Sequence, residues 1–249
     1  NLKDEIYIKK IKSSKDNVIF KGKFKKNIKK NKNSINKTLA ILREKNFIKT
    51  KPKYKIIVKK NIPVFSGLGG GSSNAASIIR YFMKGKKISK TNINFFSKKI
   101  GSDLKLFFMS KKIFQKNLMT IEHYKKDYNF YFLVVFPFFK GSSKEIYSRL
   151  RKFDFIKNKN DYKKNSRSKL IRALQLSKNS LEKIVISKYP KVRKILEEMR
   201  LIKNSQLSRV TGSGSACFAL FLTKKDGDLA LRQIKKKFPN YWCVLCKSI

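Results

Sequence analysis

The run Pro63-Val64-Phe65-Ser66-Gly67-Leu68-Gly69-Gly70-Gly71-Ser72-Ser73-Asn74-Ala75-Ala76 limits what this chain can become more than any other stretch. Upstream, Tyr54-Lys55-Ile56-Ile57-Val58-Lys59 alternates as a strand does, and downstream Ala75, Ala76, Ile78, Ile79, Phe82 and Met83 recur at helical spacing. Gly67, Gly69, Gly70 and Gly71 therefore lie between a strand and a helix. Glycines there allow a tight turn that points several backbone N–H groups at one place, and Ser72 and Ser73 add hydroxyls at the helix start. Such a place attracts phosphate, and the peptide dipoles of the following helix add about 0.3 to 1 kcal/mol for a nearby anion. A flexible Gly/Ser linker is the plain alternative. Against it, the run is short, has apolar residues on both sides and opens an amphipathic helix.

Two common phosphate loops do not fit. A Walker loop needs Lys and then Ser or Thr after its last glycine, but Ser72 follows Gly71 directly. The dinucleotide fingerprint needs a third glycine where Ser72 stands. The segment instead resembles the central ATP-binding motif of the GHMP kinases, the superfamily of galactokinase, homoserine kinase and mevalonate kinase. Its three-glycine form ending Ser-Ser-Asn-Ala is similar to the 4-diphosphocytidyl-2-C-methyl-D-erythritol kinases of the non-mevalonate isoprenoid pathway. The resemblance implies that Pro63, Val64, Phe65, Ser66, Gly67, Leu68, Gly69, Gly70, Gly71, Ser72 and Ser73 bind ATP.

Further segments follow in the family's order. Asn33 and Lys37, on a short helix with Leu39, Ile41 and Leu42, resemble an Asn and a Lys that precede the glycine motif, although an ordinary capped surface helix reads the same way. Ser89 or Thr91 caps a helix carrying Ile93, Phe95, Phe96 and Ile100, which delivers Gly101-Ser102-Asp103-Leu104-Lys105-Leu106-Phe107. By itself Asp103 is a turn residue. The resembling kinases carry their catalytic aspartate in a Gly-x-Asp-x-x-x-Phe segment, which implies Asp103 as general base for a substrate hydroxyl.

Phe130 to Phe136 reads as a buried strand ended by Pro137. The loop after it, with Ser143 and Tyr147, resembles the family segment near the cytidine end of the substrate. Tyr147 then falls where an aromatic stacks on cytosine; a half-buried helix residue is the other reading. Residues 149 to 169, dense in Lys, Arg and Asn, read as a solvated insertion. Asn179-Ser180-Leu181-Glu182 stands where the family often has Asn-Asp-Leu-Glu, with Ser180 as the departure. Pro190 starts a helix through Val192, Ile195, Leu196 and Met199. Thr211-Gly212-Ser213-Gly214-Ser215-Ala216-Cys217 resembles the C-terminal motif of the superfamily, implying substrate-side roles for Gly212, Ser213 and Gly214. Phe218 to Leu222 reads as a core strand, with a last helix at Leu229, Ile234 and Phe238 and a last strand at Tyr241 to Leu245.

Formal net charge is +47, from 62 Lys plus Arg against 15 Asp plus Glu. Taken alone that points to nucleic acid or an anionic surface. The lysines, however, are spread from end to end among abundant Asn, Ile, Phe and Tyr, as compositional bias would leave them, and acidic substrates such as nucleotides suit the charge equally. The three cysteines, Cys217, Cys243 and Cys246, suggest a reducing compartment. Cys243-Val244-Leu245-Cys246 has redox spacing but lies in a strand pattern, where residues three apart face opposite ways, so core thiols are expected. A single histidine, His123, gives little basis for a metal cluster or a catalytic triad. No apolar run approaches the roughly 20 residues of a membrane span, and a cytoplasmic protein is expected, without membrane or specific nucleic-acid partners.

The resemblance implies an α+β fold of two domains: a ribosomal protein S5 domain 2-like domain over 1–128 and a ferredoxin-like domain over 129–249. It implies ATP with Mg²⁺ as cofactors, a small-molecule substrate (4-diphosphocytidyl-2-C-methyl-D-erythritol, phosphorylated on its 2-hydroxyl), no metal site made by the protein alone, and a monomer or homodimer. Other small-molecule GHMP kinases, of the homoserine or mevalonate type, and a basic nucleic-acid-binding protein on the same scaffold are the alternative functions. The family opens with a Lys-bearing strand and a Gly-Tyr-His segment that nothing before residue 25 matches, so roughly 25 to 35 residues of a longer protein are expected ahead of Asn1.

Overall fold

The structure, a computed structural model, describes residues 2–84, 88–109, 113–115, 117, 120–123, 128–151 and 166–248. Most of the Lys/Asn-rich stretch 149–169 lies outside the described residues. The chain divides into two compact units, one of Leu2–Val64 with Gly69–Ser110, the other of Phe65–Leu68 with Lys111–Ile249. The glycine run itself is therefore shared between the units.

The first unit is a three-stranded sheet under three helices. Strands β1 (Glu5–Ile11) and β2 (Asn17–Lys21) are consecutive, yet the turn between them does not make a hairpin, because β3 (Lys53–Lys59) lies between them. β3 is antiparallel to β1, with Ile8 opposite Ile56, and parallel to β2, with Val18 opposite Ile56. Its inward residues Ile56 and Val58 are fully buried, which is what a central strand requires. Helix α1 (Ser34–Glu44) is capped by Asn33, whose Oδ1 accepts from the Asn36 amide at 3.0 Å. Helix α3 (Lys90–Ile100) is capped by Ser89, whose Oγ accepts from the Asn92 amide at 3.1 Å. Between them in sequence comes α2 (Gly70–Phe82), and one buried cluster joins Ile35, Leu39 and Leu42 of α1 to Ala75, Ile78 and Ile79 of α2 and Phe96 of α3. A 3-10 turn, Ser102–Phe108, follows α3 and buries Leu104 in the same cluster.

The second unit contains a short pair, β4 (Ile113–Gln115) and β5 (Ile121–His123), and a four-stranded antiparallel sheet. The sheet is built from β6 (Tyr131–Phe136), β7 (Leu207–Val210), β8 (Cys217–Phe221) and β9 (Trp242–Lys247) in the order β7-β8-β6-β9. Between β6 and β7 run α4 (Ser143–Ser148), α5 (Arg167–Leu176), α6 (Glu182–Lys188) and α7 (Pro190–Leu201), and between β8 and β9 runs α8 (Lys224–Lys237). Strand, helices, two strands, helix, strand along the chain, with the strands side by side as β7-β8-β6-β9, is the split βαβ arrangement of ferredoxin-like domains. Helix residues Val192, Ile195, Leu196, Met199 and Ile234 pack on one sheet face with Leu133, Val135, Phe221 and Cys243. Cys246, three residues on, packs with Val134 and Phe136 on the other face, as alternation demands.

Candidate active site

The three glycine-containing segments found in the sequence are assembled pairwise. In the second unit, the first half of the glycine run is joined to the segment at 211–216. Gly67 has φ +78°, and a Cβ placed on it would lie 2.2 Å from the Thr211 carbonyl oxygen, so only glycine lets the two backbones meet. The Thr211 hydroxyl donates to the Gly67 carbonyl at 3.2 Å, and the Ala216 amide donates to the Ser66 carbonyl at 3.1 Å. Leu68 packs into the apolar cluster of Val134, Phe136 and Ala216.

The segment at 211–216 is held from below as well. Asn179 donates through Nδ2 to the carbonyls of Val210 (2.9 Å) and Gly212 (2.8 Å), while its Oδ1 accepts from the Leu181 amide at 3.0 Å. Glu182 Oε2 accepts from the Val210 amide at 2.9 Å. Asn179 and Glu182 thus orient the Gly212–Gly214 turn. The sequence placed them beside a doubtful Ser180 but gave no sign that their own side chains carry the loop. Ser213 is buried, and its Oγ meets the Ser143 Oγ at 2.7 Å, bringing together two residues expected on the substrate side. Tyr147, one turn further along α4, is 54 % exposed.

In the first unit, the second half of the glycine run meets the Asp103 segment. Gly69 is the N-cap of α2 in the left-handed region (φ 68°), and the Phe107 ring lies where a Gly69 Cβ would reach it at 3.1 Å. Ser72 Oγ is 3.9 Å from the position of a Cβ on Gly101, two residues before Asp103. The helix begins at Gly70, so Ser72 and Ser73 lie within its first turn, and the Ser73 amide is already spent on the Gly69 carbonyl at 2.9 Å. Gly71 is exposed, with no atom nearer than 3.6 Å to a Cβ built there. Among the described residues the amides of Gly70 to Ser72 have no such partner and are the open donors of a helix N-terminus, the arrangement that receives an anion. Asp103 is the second residue of the 3-10 turn, exposed, its Oδ1 accepting from Ser102 Oγ at 3.4 Å. Pro63 is buried and Val64 half-buried on the approach to the run, while Phe65 at its tip is 49 % exposed with φ 57°. Asn33 serves as the α1 cap and Lys37 is exposed.

Cys217 and Cys243 are buried and Cys246 is half-buried, all three as free thiols. Burial pushes the Cys217 thiol far above its usual range, and Cys243 up to about 11; Cys246 is raised by the same cause. Among the described residues no three His, Cys, Asp or Glu side chains gather as a metal site, and no helix is long and apolar enough to cross a membrane.

The family described as GHMP kinases N terminal domain matches residues 33–107, and that described as GHMP kinases C terminal matches residues 161–240. The 4-diphosphocytidyl-2-C-methyl-D-erythritol kinase of Pelagibacter ubique is 36% identical over an alignment covering 100% of this chain and 88% of that protein. A crystal structure of 4-(cytidine 5'-diphospho)-2C-methyl-D-erythritol kinase superimposes with a TM-score of 0.69 at 18% identity, covering 100% of this chain and 87% of the other. Homoserine kinase from Cytophaga hutchinsonii gives 0.70 at 15%, covering 99% and 85%, a likeness of fold alone. The α+β fold is that of the GHMP kinases, and the full-length identity separates the branches that the fold leaves together. This chain belongs to the GHMP kinase family, on the branch of the 4-diphosphocytidyl-2-C-methyl-D-erythritol kinases.

Proposed function

We propose that this protein transfers the γ-phosphoryl group of ATP to the 2-hydroxyl of 4-diphosphocytidyl-2-C-methyl-D-erythritol. The observation that carries the reading is the 36% identity to a kinase of that name along the whole chain. Phosphoryl transfer asks little covalent chemistry of a protein; it asks for positioning and for neutralised charge. The uncommitted amides of Gly70 to Ser72 face the phosphates of ATP, and Pro63 to Gly69 line their approach. Asp103 accepts the proton of the attacking 2-hydroxyl, a role worth about 10² to 10⁴ in rate. Tyr147 stacks on the cytosine ring, and Ser143 with the Gly212–Gly214 turn contacts the diphosphocytidyl side.

Mg²⁺ would accompany the nucleotide, held by its phosphate oxygens and one or two carboxylates. When bound it would neutralise phosphate charge. On this reading residues 1–128 handle the nucleotide and 129–249 the acceptor, in the cytoplasm, as monomer or homodimer.

Competition by CMP and CDP tests the substrate assignment. A cytidine pocket predicts inhibition competitive with the acceptor, lost in Tyr147→Ala, and no turnover of homoserine or mevalonate. Turnover of either acceptor with indifference to CMP would move the chain to another branch of kinase chemistry.

A further inference from the structure

Asp4, just ahead of β1, is a buried acid in a chain rich in lysine. Its side chain is 1 % exposed and that of its ion-pair partner Lys60 is 3 % exposed. All four of its hydrogen bonds are accounted for. Oδ1 accepts from the backbone amides of Asn61 and Ile62, both at 2.8 Å. Oδ2 accepts from Asn74 Nδ2 at 2.9 Å and from Lys60 Nζ. Desolvating two charges is costly, and an apolar pair of the same volume commonly folds as well. A stability role alone therefore explains the pair poorly.

The placement explains it better. Asn61 and Ile62 are the last residues before Pro63, and Asn74 is in the second turn of α2. One carboxylate thus fastens the two stems of the glycine run to each other. Lys60 Nζ also lies 3.3 Å from where a Gly70 Cβ would be, beneath the first turn of α2, and Ile62 fills the adjoining space at 3.0 Å. Both stems and all four donors belong to the same compact unit.

We propose that Asp4, with Lys60 as its buried counter-ion, is a positioning residue for the phosphate loop, fixing the separation of residues 61–62 from Asn74 and thereby the direction of the Gly70–Ser72 amides. The identity of the loop's ligand as ATP rests on the function proposed above; the fastening of the loop does not. Asp4→Ala and the milder Asn74→Ala are compared with wild type by kinetics and by backbone amide hydrogen exchange. The KM for ATP rises about tenfold in Asp4→Ala and about threefold in Asn74→Ala, while the KM for the acceptor stays within about twofold, because only the loop's preorganisation is lost. Exchange quickens in residues 61–74 while α1 keeps its protection.

Unchanged ATP KM in folded variants, or protection lost evenly across the unit, overturns the proposal. Should Asp4→Ala fail to fold, Asn74→Ala, which removes a single donor, decides by the same two readouts. A wild type that transfers no phosphoryl group refutes the kinase reading, and the exchange pattern then decides the role of Asp4 without it.

Discussion

Replacing Gly67 and Gly71 separately by alanine distinguishes a glycine that holds the fold from one that faces the ligand. At Gly67 the added Cβ would stand 2.2 Å from the Thr211 carbonyl oxygen and 3.1 Å from the Gly214 nitrogen, both backbone atoms that cannot swing aside. The left-handed φ of +78° costs a non-glycine residue about 1 to 2 kcal/mol by itself. Pushing the two segments apart also breaks the bonds from Thr211 Oγ1 to Gly67 and from the Ala216 amide to Ser66, each worth about 0.5 to 1.5 kcal/mol. The total is about 2 to 5 kcal/mol, which lowers the thermal midpoint by about 4 to 20 °C in a chain of this size. At Gly71 the nearest atom is Ser34 Oγ at an ordinary 3.6 Å, and alanine in a helix gains up to about 1 kcal/mol over glycine. Gly71→Ala therefore unfolds at or above the wild-type temperature, yet its methyl group occupies the face offered to phosphate, so ATP binding measured calorimetrically weakens about tenfold or more. A Gly67→Ala protein as stable as wild type would refute the contact argument. A Gly71→Ala protein with unaltered ATP affinity would refute the location of the phosphate.

Three other outcomes follow from the same structure. Asn179→Ala leaves the carbonyls of Val210 and Gly212 without their donor, so it destabilises by about 1 to 3 kcal/mol and raises the acceptor KM more than the ATP KM, read by denaturation and steady-state kinetics. Asp16 accepts from Arg43 Nε at 3.0 Å and Nη2 at 2.8 Å and from the Tyr54 amide at 2.8 Å, so Asp16→Ala lowers stability by about 2 to 3 kcal/mol; once folded, it binds ATP as wild type does. Because burial raises the Cys217 and Cys243 thiols, both stay protonated at neutral pH and resist alkylation by iodoacetamide in the native protein, reacting only as pH climbs or the chain unfolds; mass spectrometry of the labelled peptides gives the order.

Much of the fold can be read from local signals. Asn33 and Ser89 are the caps their side chains suggest, Pro190 opens α7, and the opposite facing of Cys243 and Cys246 follows from strand alternation. The pairing of β1 and β2 with β3 rather than with each other could not be read, because strand neighbours are chosen by non-local burial of Ile56 and Val58. The glycine segments of the candidate site stand out in the sequence because glycine is demanded wherever backbones touch, as at Gly67 against Thr211. Their joining was not, since no pattern links residues 144 positions apart. The side chains beneath the loops were the hardest to find. Asp4, Lys60 and Asn179 carry ordinary residue types in a Lys- and Asn-rich chain, and only their burial and partners set them apart.

The most direct test is phosphoryl transfer from ATP to 4-diphosphocytidyl-2-C-methyl-D-erythritol by the full-length protein, followed by ³¹P NMR, with Asp103→Asn beside the wild type. The account predicts a new phosphomonoester on the 2-hydroxyl, and in Asp103→Asn a kcat lower by about 10² to 10⁴ with the ATP KM within about twofold. Wild type that binds ATP and leaves this acceptor unmodified, or an Asp103→Asn protein that works at the full rate, would contradict it.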